Sequence, residues 1–301
     1  MKSIFSKRSI YFIGLVFLFD WLLIALFYAA GGKWNTNASI IISVIYMFIP
    51  MIIAVTLQRF IYHQPIKEPL GIKFKPNIWY FIAWVLPLFI SLASFGVSLI
   101  FSGISYSPDM AGMFERYKYS LNSEQISLMK EQIQTLPIHP FWLTLGQAMI
   151  GGATTNTIAG FGEELGWRGF LYKEFYELGF YRSSILIGTI WGIWHMPIIL
   201  MGHNYPQHPV FGVLMMTLWC ILLSPIFSFI RERSDSVIAT SILHGTINGT
   251  FVLSILLLKG GNDLIIGITG ISGFIVLIMI NILIFFNYGV KGTSPLLGVC
   301  P

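Results

Sequence analysis

The sequence predicts an all-α fold, a polytopic membrane helical bundle with about eight transmembrane helices, and three observations lead there. Of its 301 residues 55% are apolar and only 10% charged, against about a quarter charged in a soluble globular chain. Apolar stretches of about 20 residues, the length that crosses the hydrocarbon core, recur near 10–30, 38–58, 78–102, 143–172, 183–202, 210–230, 236–258 and 264–286. The basic residues lie singly or in small groups between these stretches, with no basic face, so the net charge of +5 reflects topology and not a nucleic-acid partner. Two cysteines, Cys220 in an apolar run and Cys300 in the tail, exclude a disulfide framework.

The first span follows Lys7 and Arg8 and ends at Ala29-Ala30-Gly31-Gly32. Its apolar run is too long for a secretory h-region, so it is expected to stay as an anchor. Asp20 lies in the middle of this span, and a neighbouring helix is expected to satisfy it. With the N-terminus inside, 13 of the 18 basic residues fall in inside segments. The positive-inside rule then places both termini in the cytoplasm of a multi-pass cell-membrane protein. The outside segment from about 103 to 140 has Ile126, Met129, Ile133 and Leu136 at helical spacing after Asn122 and Ser123, which can cap a helix start. A helix lying on the membrane surface is expected there.

No linker or repeat divides the chain, which reads as one compact membrane domain. Residues 1–140 supply three spans and the external amphipathic loop, 141–290 a helical core with the polar motifs, and 291–301 a short tail.

The fourth span carries Glu163, Glu164 and Arg168, and ionisable groups at membrane depth mark a functional site by default. At the helical rise, Glu163 lies about 15 Å from the end at Lys173, His195 about 20 Å from Arg182, and His244 about 14 Å from Asp235, so groups from three helices reach similar depth. Gly162 with Gly166, Gly188 with Gly192 and Gly245 with Gly249 are small-xxx-small pairs that let these helices crowd together. Glu164 and Arg168, four apart with the acid first, are expected to pair. Glu163 points about 100° away and has no basic partner on its own helix, which suits a carboxylate that takes a proton from water and later delivers it. His244 and Asn248 share a helical face and can donate to an oxyanion. His195 follows Trp191 by four residues and precedes Pro197, whose missing N–H disturbs the helical ladder. Zinc is the competing chemistry, because Glu163, His195 and His244 are acceptable ligands that leave a fourth position for water. Trp167, Trp191 and Trp194 read as packing residues, and His63, His139, His203 and His208 as solvated or interfacial.

Glu163-Glu164-x-x-x-Arg168, Trp191-x-x-x-His195 and His244-x-x-x-Asn248, in this order on successive apolar segments, resemble the motifs of the CPBP family of intramembrane proteases. That family includes the eukaryotic CAAX prenyl endopeptidase and many bacterial relatives, and its second motif usually has Phe where this chain has Trp191. The likeness covers roughly 140 to 255. It implies an eight-helix fold, a site opening toward the cytoplasm, and hydrolysis of a membrane-associated peptide or protein. It also implies that Glu163 and His195 activate water and that His244 and Asn248 stabilise the oxyanion, with Glu164, Arg168 and Trp191 in support. No cofactor is required by that scheme, zinc being the alternative. Many bacterial members look like immunity or maturation factors, so a non-catalytic immunity or binding protein on the same fold is the second reading. A proton-coupled transporter is the third.

Overall fold

The computed structural model describes residues 4–117 and 123–288, so Lys2, Lys118, Asn122, Lys291 and the expected tail at 291–301 lie outside the described residues. Ser6 accepts from the Ser9 N–H and starts α1 (Lys7–Ala29). A reciprocal capping box between Thr36 and Ser39 starts α2 (Asn37–Val55), which widens into a π-helical stretch ending at Ile61. Asn77 caps α3 (Ile78–Ser98). The outer segment then forms β1 (Ser105–Tyr106), α4 (Ala111–Tyr117) and α5 (Ser123–Gln134).

Residues expected to form one fourth span are instead interrupted twice. α6 (Pro140–Ala153) stops at Thr154, whose ψ of −95° leaves the helical region, and α7 (Thr155–Glu164) runs into a π-helix over Leu165–Leu171 before α8 (Tyr172–Phe175). The next segment is also split, into α9 (Phe180–Trp194) and α10 (Met196–Leu200) around His195. Pro197 sits at the start of α10, as its missing N–H requires. α11 (Pro209–Ser234) is the longest helix, and Ser236 caps α12 (Val237–Thr250). β2 (Leu258–Lys259) pairs antiparallel with β1, a small departure from an all-helical chain. α13 (Ile271–Tyr288) begins seven residues later than the expected eighth span, because turns occupy 263–270.

Among the described residues five helices are long and apolar enough to cross a membrane: Lys7–Ala29, Asn37–Ile61, Ile78–Ser98, Pro209–Ser234 and Val237–Ser254. A sixth apolar helix, Ile271–Phe286, is shorter. The chain is therefore an all-α, multi-pass membrane bundle, with three of the expected eight spans broken or short. A helix does form in the outer segment. On α5 Ile126, Met129 and Ile133 are partly buried against Met110, Phe114 and Leu256.

α12 runs through the middle, against α3, α6, α7 and α11, while α7 also packs on α2, and α9 on α11. Glycines set these distances. A Cβ at Gly245 would stand 2.5 Å from the Gly152 carbonyl oxygen, and one at Gly162 would stand 2.5 Å from that of Met47.

Side-chain bonds define the two ends of the bundle. At one end Ser6 donates to Glu174 (2.7 Å), Lys73 pairs with Asp235 (2.8 Å) and Tyr172 donates to Glu232 (2.5 Å). At the other, the Trp34 indole donates to His203 (3.2 Å), Arg116 to the Leu258 carbonyl (2.9 Å), and His208 pairs with Asp263 (2.6 Å). α1 starts at the first end, and α13 returns to it, Phe285 reaching the ring of Tyr181 at 5.8 Å.

Candidate active site

Glu163 and Glu164 are the last two residues of α7, where the backbone widens from α to π geometry. Such π stretches are frequent at functional sites, because the extra residue per turn redirects side chains. Both carboxylates are buried, at 2% and 0% exposure. Oε1 of Glu164 accepts from Arg168 (3.1 Å), so the expected pair forms. The Arg168 guanidinium lies over the rings of both Trp191 and Phe227, 4.5 and 4.4 Å from their centroids.

Glu163 faces the other way. Its Oε2 accepts from the indoles of Trp191 (2.7 Å) and Trp167 (3.3 Å), while Oε1 lies 3.7 Å from Nε2 of His244. Nδ1 of His244 is bound to Glu164 Oε1 at 2.8 Å, and since a carboxylate accepts, that nitrogen donates. One imidazole thus bridges the paired carboxylates.

His195 sits at the break between α9 and α10, where its N–H reaches back only to the Gly192 carbonyl. Nδ1 lies 2.8 Å from the Trp191 carbonyl, an acceptor, so Nδ1 carries the proton and Nε2 is the acceptor of the neutral ring. Trp191 therefore holds Glu163 through its indole and His195 through its carbonyl. Asn248, one turn beyond His244, has an exposed side chain.

Glu163, His195, His244 and Asn248 all line one cavity of about 360 Å³. Its remaining wall is largely apolar, with Ile198, Met216, Trp219, Leu223, Phe227 and Ile247. Its rim is Trp34, His203 and Asn204, at the end of the bundle away from Lys73 and Asp235. A second recess beside α2 shares Trp34, Ser43, Met47, His203 and Asn248 with it. Beyond Glu163 toward the other end, Trp167, Arg168, Phe170 and Leu171 are all fully buried.

Several participants were not singled out by sequence reasoning. Trp167 and Trp191 do pack, but their N–H groups also hold Glu163; the spacing of four between Glu163 and Trp167 was the available signal. His203 is half-buried on the cavity rim and not solvated. Its Nδ1 accepts from Trp34, and burial pushes its pKa down to about 4, so it brings no charge there. Asp20 meets a neighbouring helix as expected, its Oδ2 accepting from the Trp194 indole at 2.7 Å, while its buried Oδ1 has no hydrogen-bond partner.

The donor set was tested against zinc. Among the described residues no group of three or more His, Cys, Asp or Glu side chains is placed to hold a metal ion. The hydrogen bonds here fall on Glu163 Oε2 and the two Nδ1 atoms, leaving Glu163 Oε1 and the Nε2 atoms of His195 and His244 toward the cavity. As placed, these side chains do not gather into a three-ligand set, and no step below runs through a metal.

Fold and site together define a class: a multi-pass membrane bundle with a buried acid–histidine cluster opening into a cavity. Within that class, residues 145–250 match the family described as Rce1-like, Type II CAAX prenyl endopeptidase Rce1-like. A 51-residue stretch is 37% identical to the CAAX prenyl protease 2 of Methanococcus maripaludis, covering 17% of this chain and 18% of that protein. The chain thus spans under a fifth of the length of the curated relative it matches. All three polar motifs lie inside the matched region.

Proposed function

We propose that the protein is an intramembrane endopeptidase that hydrolyses a peptide bond of a membrane-associated peptide or protein. The observation that carries this reading is the division of labour between two adjacent carboxylates in one cavity. Glu164 is consumed by Arg168 and His244, whereas Glu163 keeps Oε1 toward the cavity with Oε2 tied back by two indoles. In this reading Glu163 Oε1 and His195 Nε2 hold the attacking water. The water oxygen bonds to the peptide carbonyl carbon, and Glu163 takes its proton. His244 and Asn248 donate to the oxyanion. With both nitrogens protonated, His244 gives its Nδ1–H to Glu164 and has its Nε2–H for the oxyanion, and the Glu163, Glu164, Arg168 and His244 charges sum to zero. As the tetrahedral intermediate collapses, the C–N bond breaks and Glu163 returns the proton to the leaving nitrogen, giving a carboxylic acid and an amine, which exchange a proton on release to leave a carboxylate and an ammonium. The eight expected crossings belong to this proposal, with the interrupted fourth and fifth segments spanning together with α13.

The test is cleavage of the native substrate, found by comparing the membrane peptidomes of cells with and without the active protein. Glu163→Ala, His195→Ala and His244→Ala should each abolish the difference while the protein remains folded in detergent. Undiminished turnover by the Glu163 variant removes the proposal. A phenotype that survives all three substitutions, with no peptide cut, identifies the binding or immunity reading instead. Full turnover after exhaustive chelation is expected; turnover lost on chelation and restored by zinc overturns the metal-free scheme.

A further inference from the structure

The cavity and the basic residues lie at opposite ends of the bundle. Around the end that carries Ser6, Lys73 and Asp235 are ten described Lys and Arg residues outside the buried Arg168 pair, among them Lys7, Arg8, Lys67, Lys75, Lys173 and Arg233. The cavity end has Lys33, Arg116, Lys130 and Lys259, accompanied by Asp109, Glu115, Glu124, Glu131 and Asp263. Lys and Arg excess in short loops sets the orientation of a multi-pass protein, with the rich side in the cytoplasm. Its weight is large here, since the loop 62–77 and the chain segments at both ends of α11–α12 and α1 agree. A cytoplasmic N-terminus and a site open to the cytoplasm, both expected from sequence, are therefore incompatible in this fold. One must give way, and the charges favour the first.

We infer that the cavity opens on the extracytoplasmic face and takes its substrate from that side. Resting on the endopeptidase reading, this makes the substrate class exported or outward-facing polypeptide, with the cut bond entering past Trp34 and His203, and excludes a protein tail presented from the cytosol. The rim suits such a substrate: Trp34, His203 and Asn204 are uncharged hydrogen-bonding groups, and the wall below them is apolar. An extended segment with apolar side chains fits better than a highly charged one. Trp167, Arg168, Phe170 and Leu171, all fully buried, follow Glu163 along the chain toward the basic end at Lys173.

Thiol labelling in intact cells tests this without any requirement for catalysis. Lys33→Cys lies on the α1–α2 connection, Lys75→Cys at the basic end, and Ser43→Cys on the wall shared by cavity and recess. Ser43 bonds only to the Ser39 carbonyl of its own helix, so cysteine should be accommodated. Wild type supplies the blank for Cys220 and Cys300. A charged, membrane-impermeant methanethiosulfonate added outside should modify the Cys variants at 33 and 43, and the variant at 75 only after permeabilisation. Modification at 75 in intact cells, or protection of 33, overturns the orientation; protection of 43 with 33 labelled overturns the open mouth. If labelling follows expectation but Glu163→Ala still cleaves, the orientation stands and the endopeptidase reading falls.

Discussion

The first three helices and the cluster α7, α9 and α12 are built on different rules. In the windows most able to span a membrane, α1, α2 and α3 bury only 22%, 28% and 33% of their residues, against 67% for Val237–Ser254, so the former mostly face outward and the latter is enclosed. α1 and α3 run unbroken for 23 and 21 residues, whereas α7 breaks after 10 and α9 after 15. Helices in contact with lipid must satisfy every backbone group internally, so interruptions in them are few: Pro50 and the π stretch at the end of α2, and Pro87 in α3. Enclosed helices can interrupt their ladders, because neighbours and side chains supply the missing partners. The chemistry lies at those interruptions: Glu163 and Glu164 at the α-to-π transition, His195 at the break before Pro197.

The sharpest way to break this comparison is to overfill the enclosed cluster. Gly245→Leu would place a branched side chain where even a Cβ meets the Gly152 oxygen at 2.5 Å, and folded protein should be lost. Ile282→Ala, on the outward face of α13, should leave the thermal midpoint in detergent nearly unchanged, with an effect within about 0.5 kcal/mol. Equal effects would mean that enclosure does not govern tolerance.

Next comes the buried charge cluster. Arg168→Met keeps length and apolar contact with Trp191 and Phe227 but leaves Glu164 with His244 alone. Breaking a buried pair from one side costs about 3–5 kcal/mol, visible as a large drop in thermal midpoint. A variant as stable as wild type would show that the guanidinium is held by stacking and not by charge.

Trp191→Phe separates packing from hydrogen bonding. The ring stays, while Glu163 Oε2 keeps only the longer bond from Trp167. A hydrogen bond to a charged group is worth about 1.5–3 kcal/mol, so turnover should fall roughly 10- to 100-fold with little change in substrate affinity. Unchanged kcat would return Trp191 to the packing role that sequence alone assigned it.

These contrasts also explain what was legible in the sequence. Glu163, His195, His244 and Asn248 stood out because polar groups are rare in apolar segments, and they line one cavity. The indole donors were hidden, since a tryptophan in an apolar run needs no explanation. The break at Thr154 was hidden as well: hydropathy sums over a window and does not register a single residue leaving the helix. The bond to His203 was hidden because its sequence neighbours form a loop, while its spatial neighbour Trp34 is 169 positions away. Lipid-facing helices announce themselves by composition, and enclosed ones do so only through the residues that composition leaves unexplained.

Asp20 is where the two regions meet, and the smallest expected effect tests that junction. It is buried in the otherwise regular α1, and its Oδ2 accepts from the Trp194 indole at 2.7 Å. Trp194 packs on Tyr46, Trp167 and His195, with centroids at 4.2, 5.5 and 4.7 Å, and its carbonyl accepts from Tyr46 (2.5 Å) and Trp21 (3.2 Å). Through Trp194 the first two helices thus hold the residue preceding His195. Asp20→Asn keeps an acceptor oxygen and should change stability and turnover little. Asp20→Ala leaves the buried indole N–H unpaired, at about 1–3 kcal/mol, and kcat should fall several-fold as His195 loosens, with the asparagine variant restoring most of it. Equal behaviour of the two variants would mean that Trp194 is fixed by ring packing and its carbonyl alone, and α1 would then support the site only through Trp21 and general contact.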